Sequence, residues 1–385
     1  MSKNGHEGVP VSSDALSRLE ILSRDSQYDL ACACSTSSPL EKRKRSSDGK
    51  WLYPVPLAAG GYGIMFKTLL SNGCANDCKY CPLRTGSNAI RCSLKPEETV
   101  KLFLEHNSRQ WLLGLFLSSG VVGNPDNTMT NLIDTAAILR KKHHYRGYIH
   151  LKIIPGASDA AVEEAMKLAT AVSLNIEVPG RKHFEKLSHA KNFDNDIVAP
   201  LKLISKLKAS EHRYARIKTS SQFIVGASDE TDREIVAYMD GMYNRLKFNR
   251  LYFSAYQAGL GDQAIPGEQD FSLDPGDRLT REHRLYQVDW LLRQYHFLPG
   301  EMVFDGKGNL SLDDDPKKAW AKAHPEFFPV NVNQADREHL LRVPGLGPVM
   351  VNRILKARKI HRLTRLLDAG IAQTYAERAH PYLTF

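Results

Sequence analysis

The chain has 385 residues, 42% hydrophobic and 25% charged, enough for a large core and more than one domain. No run is long and apolar enough to span a membrane, residues 1–14 lack the apolar centre of a leader, and six cysteines do not make a secreted disulfide scaffold; a reducing, cytoplasmic setting is expected. The net charge of +9 favours a polyanionic partner.

In chain order, residues 1–14 read as a polar tail and 16–31 as a helix. Cys32 and Cys34 follow, then the basic run Glu41-Lys42-Arg43-Lys44-Arg45, which reads as a solvated charge run, a phosphate-contacting arm or a targeting signal. The apolar run 64–70 predicts a buried strand leading into Cys74-x-x-x-Cys78-x-x-Cys81. Further strands are expected at 113–120, 148–154, 172–178, 221–226 and 250–256. Helices are expected at 96–109, 131–142, 159–170, 197–207 and 231–246. This alternation predicts βαβ units and a parallel sheet, with the cysteine loop after its first strand. Residues 257–278 read as a loop, 281–295 as a helix and 301–330 as a connector.

Three thiolates on one short loop can hold three corners of a cubane iron–sulfur cluster and leave the fourth iron open to a ligand. The alternative is a zinc loop completed by Cys92 or by Cys32 and Cys34; the wide Cys74–Cys78 gap and the lack of a second paired knuckle argue against it. His143, His144, His150 and His183 have no carboxylate at ligand spacing and read as surface or core residues, and Cys32, Cys34 and Cys92 are too few for a second cluster. Arg278, Arg281, Arg284 and Arg293 read as a basic surface or a solvated helix face.

The cysteine spacing, with Tyr80 just before the last cysteine, resembles the signature of the radical S-adenosylmethionine (radical SAM) enzymes. The six strand–helix repeats resemble that family's α/β fold, a partial (β/α)6 TIM-like barrel, over residues 62–297. The resemblance implies one 4Fe–4S cluster on Cys74, Cys78 and Cys81, with S-adenosylmethionine on the open iron. It also implies an electron donor such as flavodoxin or ferredoxin, and a 5′-deoxyadenosyl radical that takes a hydrogen atom from substrate. Tyr80 would lie near the adenine. Ser118-Ser119-Gly120 stands where the family carries a Gly-Gly-Glu turn; small residues are kept and the acid is missing. Glu177 would meet the ribose or amine, or else pair structurally with Lys152 or Arg181. Ile224 to Gly226 would pack on adenine, or serve as plain strand core.

The segment 331–355 resembles a helix–hairpin–helix DNA-binding module, with Asn333 as N-cap, Pro344-Gly345-Leu346-Gly347 as hairpin and Pro348 opening the second helix. The expected phosphate contacts are Gly345, Leu346, Gly347, Val349 and Arg353, with Lys356, Arg358 and Lys359 adding charge. The expected domains are an N-terminal extension (1–61), a barrel (62–300), a connector (301–330) and a small all-α C-terminal domain (331–385). Barrel and hairpin together resemble a family of DNA modification or repair radical SAM proteins. An RNA-modifying radical enzyme and a non-catalytic DNA-binding protein with a structural metal are the rival readings.

Overall fold

The structure is a computed structural model describing residues 14–26, 52–56, 61–109, 111–270 and 272–385. Cys32, Cys34 and the basic run 41–45 lie outside the described residues. The chain divides into two compact units: Met1–Glu230 with Gly241–Arg278, and Thr231–Asp240 with Leu279–Phe385. No described helix is long and apolar enough to cross a membrane.

The first unit opens with helix α1 (Ala15–Asp25), capped by the Asp14 carboxylate on the Ser17 amide at 3.2 Å, and ends earlier than the expected 31. Residues 52–56, expected to belong to the partly disordered N-terminal extension, form strand β1 (Leu52–Pro56). It pairs antiparallel with β2 (Tyr62–Leu69). The sheet then runs parallel in sequence order through β3 (Gly114–Ser118), β4 (Tyr148–Lys152), β5 (Ala171–Ser173), β6 (Lys218–Val225) and β7 (Arg250–Ala255). These six parallel strands form the expected partial barrel. The crossovers are α2 (Pro96–Arg109), α3 (Pro125–Ala137), α4 (Asp159–Leu168), the short α5 (Arg181–Leu187) and α6 (Ala199–Ser210). Asn124 caps α3 on the Asn127 amide at 2.8 Å, so this helix starts six residues before the expected 131.

The register sorts the strand residues onto two faces of opposite character. Phe66, Leu115, Leu117, Ile149, Leu151, Val172, Phe223, Leu251 and Phe253 share the apolar face and are all buried. The alternate face carries Lys67, Ser118, His150, Lys152, Ser173, Gln222 and Ser254, buried as well. A parallel barrel interior is ordinarily filled with branched aliphatics, so this polar face marks where chemistry is accommodated.

The fourth parallel strand is shorter than the expected 172–178. After Ser173 the Ser221 hydroxyl accepts the Ile176 amide at 3.0 Å, and Glu177 turns into the left-handed region at φ +66°. Glu177 returns to the ladder only as a single bridge to Phe223, its amide donating to the Gln222 carbonyl at 2.9 Å and its carbonyl accepting from Ile224 at 2.7 Å.

The second unit comprises α7 (Asp232–Asp240), the Leu279 onward part of α9 (Pro275–Gln294), α10 (Pro316–Ala323), α11 (Arg337–Arg342), α12 (Pro348–Ala357) and α13 (Gln373–Ala379). The four-residue α8 (Pro266–Gln269) and the first residues of α9, 275–278, belong to the first unit. A core of Val332, Leu340, Leu341, Val343, Leu346, Val351, Ile354 and Leu363 holds the hairpin. The C-terminal region is not all helix: β8 (Val330–Asn331) pairs in parallel with β9 (Leu383–Thr384). The arginines of α9 in this unit are tied down rather than forming a free basic surface: Arg281 pairs with Asp232 at 2.7 Å, Arg293 with Asp289, and Arg284 donates to the Leu312 carbonyl at 2.7 Å.

Candidate metal and cofactor site

The cysteine loop leaves the C-terminal end of β2 and is fastened at both sides. The Leu70 amide donates to the Ser118 carbonyl (2.8 Å), and the Gly120 amide donates to the Ser71 carbonyl (2.7 Å). The Ala75 amide donates to the Val121 carbonyl at 2.8 Å, docking the loop on the turn after β3. Gly120 is required by this approach: a Cβ there would come 2.3 Å from the Gly73 carbonyl oxygen. Asn72, fully buried, bonds Asp25 Oδ2 and the Ile90 carbonyl, each at 2.7 Å. Arg91 donates to the Asn72, Leu83 and Arg84 carbonyls and so clamps the loop's two ends.

Beyond the cysteines, Asp77 accepts from the Ser188 hydroxyl (2.6 Å) and the His189 and Ala190 amides (2.9 and 3.1 Å). Burial pushes its pKa up, but these bonds outweigh it and hold the carboxyl below its ordinary value. The 257–278 segment is bonded to the loop: the Asp262 amide donates to Lys79 O at 2.7 Å, and Arg84 reaches Leu260 O at 3.1 Å. Glu268 holds that segment closed through the Tyr256 hydroxyl and the amides of Gly259 and Gly261, both at 2.9 Å.

A solvent-open cleft of about 790 Å³ lies at the C-terminal ends of the strands. Cys74, Cys78 and Cys81 all line it, together with Tyr80, Ser118, Ser119, Gly120 and Glu177. The structure thus brings these eight residues to one cleft with Ile224, whereas Val225 and Gly226, expected beside the adenine, do not line it. A smaller neighbouring hollow is lined by Tyr80, Cys81, Ile224, Ser254 and Tyr256. The Val121 amide donates to Cys74 Sγ and the Leu83 amide to Cys81 Sγ, each at 3.4 Å, the type of bond that tunes a thiolate bound to iron. Burial pushes the free Cys78 thiol up and the Cys81 thiol to about 12. The three thiols, free of disulfides and facing one cleft, fit a three-cornered cluster ligand set. Among the described residues no three His, Cys, Asp or Glu side chains gather as ligands of a single ion.

Cys92 stands apart: its amide donates to Asn72 Oδ1 at 2.8 Å, its thiol to the Arg18 carbonyl at 3.8 Å, and it does not line the cleft. It is no fourth ligand here. Of the two alternative partners for Glu177, Arg181 is excluded because it pairs with Asp194. Glu177 lies instead beside Asn175 Nδ2 (3.4 Å) and the Tyr80 hydroxyl, and its charge, with that of Cys78, offsets burial to raise Lys191 above the ordinary lysine pKa. Sequence reading missed Lys191, Asn175 and Gln222 as cleft residues. Lys191 and Asn175 sit in irregular segments with no periodic signal. Gln222 and Lys152 were legible as polar residues inside otherwise apolar strand runs.

In the second unit, Gly347 is the N-cap of α12, with no side-chain cap, and Pro348 follows in the first turn. The first main-chain bond of α12 runs from the Val351 amide to the Gly347 carbonyl, at 2.9 Å. Gly345 adopts φ +85°. Leu346 is buried at 1% exposure and its amide is bonded to the Val343 carbonyl, so neither is presented as a phosphate contact. Val349 is exposed, and the Arg353 guanidinium donates to Gly370 O at 2.8 Å. Arg358 is likewise spent on the Val332 and Ala335 carbonyls, whereas Lys356 and Lys359 are exposed. Asn333 is not a cap: its Oδ1 accepts from the Leu363 amide (2.9 Å) and its Nδ2 donates to the Leu363 carbonyl (3.0 Å), and Asp336 caps α11 on the His339 amide at 2.8 Å.

No protein-family model matches the chain, and no curated protein matches its sequence. Among solved structures, the FeFe-hydrogenase maturase HydG from Carboxydothermus hydrogenoformans is similar at 15% identity and TM-score 0.44, over 58% of this chain and 51% of that one. Methylornithine synthase (PylB) is similar at 14% identity and TM-score 0.45, over 58% and 62%. The radical S-adenosylmethionine methyltransferase TsrM from Kitasatospora setae, solved with cobalamin and a 4Fe–4S cluster, is similar at 14% identity and TM-score 0.39, over 61% and 43%. The chain therefore spans between 43% and 62% of the length of these proteins, and the likeness is one of architecture.

Proposed function

We propose that this chain is a radical SAM enzyme carrying one 4Fe–4S cluster on Cys74, Cys78 and Cys81, and that it modifies or repairs DNA delivered by the C-terminal helix–hairpin–helix. The observation that supports this most is the convergence of three free thiols and the Ser118–Gly120 turn on one cleft at the C-terminal ends of a parallel sheet. When bound, the cluster and S-adenosylmethionine supply an electron and a 5′-deoxyadenosyl radical for hydrogen-atom abstraction. The protein's residues bind and orient. Glu177 offers carboxylate oxygens to hydroxyl or ammonium groups, and Tyr80 and Ile224 flank the hollow that suits a flat ring. The segment closed by Glu268 bonds to the cysteine loop and limits water there. The electron comes from a flavodoxin- or ferredoxin-type donor, and the setting is a reducing one, the cytoplasm. In the tail, Gly345, Gly347 and the first turn of α12 approach backbone phosphate, with Lys356 and Lys359 nearby.

Anaerobic reconstitution tests the enzyme. About four iron atoms per chain and 5′-deoxyadenosine formed under reductant are expected, and Cys78→Ala abolishes both. Zinc uptake without cleavage of S-adenosylmethionine would sink the reading. Mass spectrometry of nucleosides from DNA and RNA treated with the enzyme tests the substrate: a changed deoxynucleoside supports DNA, and a changed ribonucleoside replaces DNA by RNA.

A further inference from the structure

We infer that Gln222, on the polar face of the sheet, recognises the substrate's base, accepting an N–H from a nucleobase seated in the cleft beside Lys152. This rests on the nucleic-acid reading above and names the part of the substrate that the cleft receives.

Gln222 is 2% exposed, yet its side-chain oxygen has no hydrogen-bond partner, and its residue lines the main cleft. Ser254, on the adjacent strand β7 and 1% exposed, has an unpartnered hydroxyl and lines the neighbouring hollow. Buried polar atoms are nearly always paired, and two orphans on one sheet face point to partners brought by a ligand. Elsewhere on this face the His150 ring bonds the Ser173 hydroxyl at 2.8 Å and stacks at 4.4 Å on Phe116. The orphaned acceptor calls for a donor. A carboxamide is planar and pairs edge to edge with the amide-like edges of nucleobases. A base stacked in a duplex would have to leave its stack to reach this site.

The test uses the reconstituted full-length protein with S-adenosylmethionine, under anaerobic conditions. Binding of the four 2′-deoxynucleoside 5′-monophosphates is measured by equilibrium dialysis, and S-adenosylmethionine affinity by the change it causes in the cluster's electron paramagnetic resonance spectrum. At least one monophosphate is expected to bind. Gln222→Leu should weaken it by more than tenfold, and by at least tenfold more than any loss in S-adenosylmethionine affinity. The melting temperature of Gln222→Leu should equal or exceed the wild type's, since an unpaired buried oxygen is removed. Gln222→Glu, of the same shape, should change which monophosphate binds best. Equal losses for nucleotide and S-adenosylmethionine would assign Gln222 to the cofactor and overturn the inference. So would unchanged nucleotide affinity, or failure of all four monophosphates to bind a protein that does cleave S-adenosylmethionine. A protein that does not cleave it removes the functional reading first, and this inference with it.

Discussion

Gly120 and Gly73 approach so closely that a single methyl group on Gly120 would sit 2.3 Å from the Gly73 carbonyl oxygen and 3.2 Å from Cys74 Cβ. The turn after β3 and the loop after β2 are therefore one rigid piece. Gly120→Ala forces them apart by overpacking, at about 1–3 kcal/mol. The expected outcome is a folded protein that takes up less than half the wild-type iron on reconstitution. Full iron loading in the variant would show that the loop adjusts freely.

Asp77 makes the stability of the loop depend on acid. Its folded pKa lies below the ordinary carboxylate value, so its contribution is present above about pH 4 and is lost as pH falls through the folded pKa. Asp77→Asn removes the charge-assisted acceptance from Ser188, His189 and Ala190. In urea unfolding of the metal-free protein, the variant should be less stable by roughly 1–2 kcal/mol at pH 6, and the gap should close as pH falls through the folded pKa of Asp77. Parallel pH profiles would contradict this.

Two hairpin glycines separate folding from binding. Gly345 has φ +85°, and its Cβ would meet Arg378 Cβ at 3.0 Å and the Ala379 amide at 3.2 Å. Gly345→Ala should cost about 1–2 kcal/mol in stability as well as DNA affinity. At Gly347 the backbone is ordinary and a Cβ would touch only the Tyr295 hydroxyl, at 3.3 Å. Gly347→Ala should therefore fold nearly normally yet bind DNA several-fold more weakly, with a shallower salt dependence, in fluorescence anisotropy. Wild-type DNA binding by both variants would remove the hairpin assignment.

Lys317 links the hairpin to pH. It is buried at 7% exposure, donates to the Leu346 carbonyl and lies 4.7 Å from the Tyr295 ring centroid. Burial lowers its pKa to about 7. The unfolded chain binds this proton up to about pH 10.4, so stability rises with pH between about 7 and 10.4 and is flat below. The rise is on the order of a few kcal/mol. Lys317→Met should abolish that slope in urea unfolding at pH 6, 8 and 10. A wild type and variant that differ by a constant amount across the range would refute the assignment.

The alternation of strands and helices was legible because each strand is an apolar run and each helix a striped one, from the 64–70 run to the 250–256 run. The cysteine spacing located the cleft for the same reason: a loop after a parallel strand can only emerge at its C-terminal end. What stayed hidden depends on contacts distant in sequence. Asn333 resembled a cap by its position before a helix, but Leu363, thirty residues on, takes up its amide. Glu177 looked like part of a strand, and only the Ser221 hydroxyl, from another strand, shows why the chain leaves the ladder there. β1 was hidden because a five-residue strand containing two prolines has little propensity of its own; the neighbouring strand makes it.

The two-residue pairing of Val330–Asn331 with Leu383–Thr384 bears on the order of events during synthesis. The segments that it joins lie more than fifty residues apart, and Leu383 belongs to the same buried cluster as Leu340 and Leu346. The hairpin module therefore cannot complete its core until that last strand has emerged from the ribosome. The barrel strands, made earlier and joined in sequence order, can assemble before then. Each new molecule would thus complete the sheet that carries its cysteine loop before it closes the core around its C-terminal hairpin.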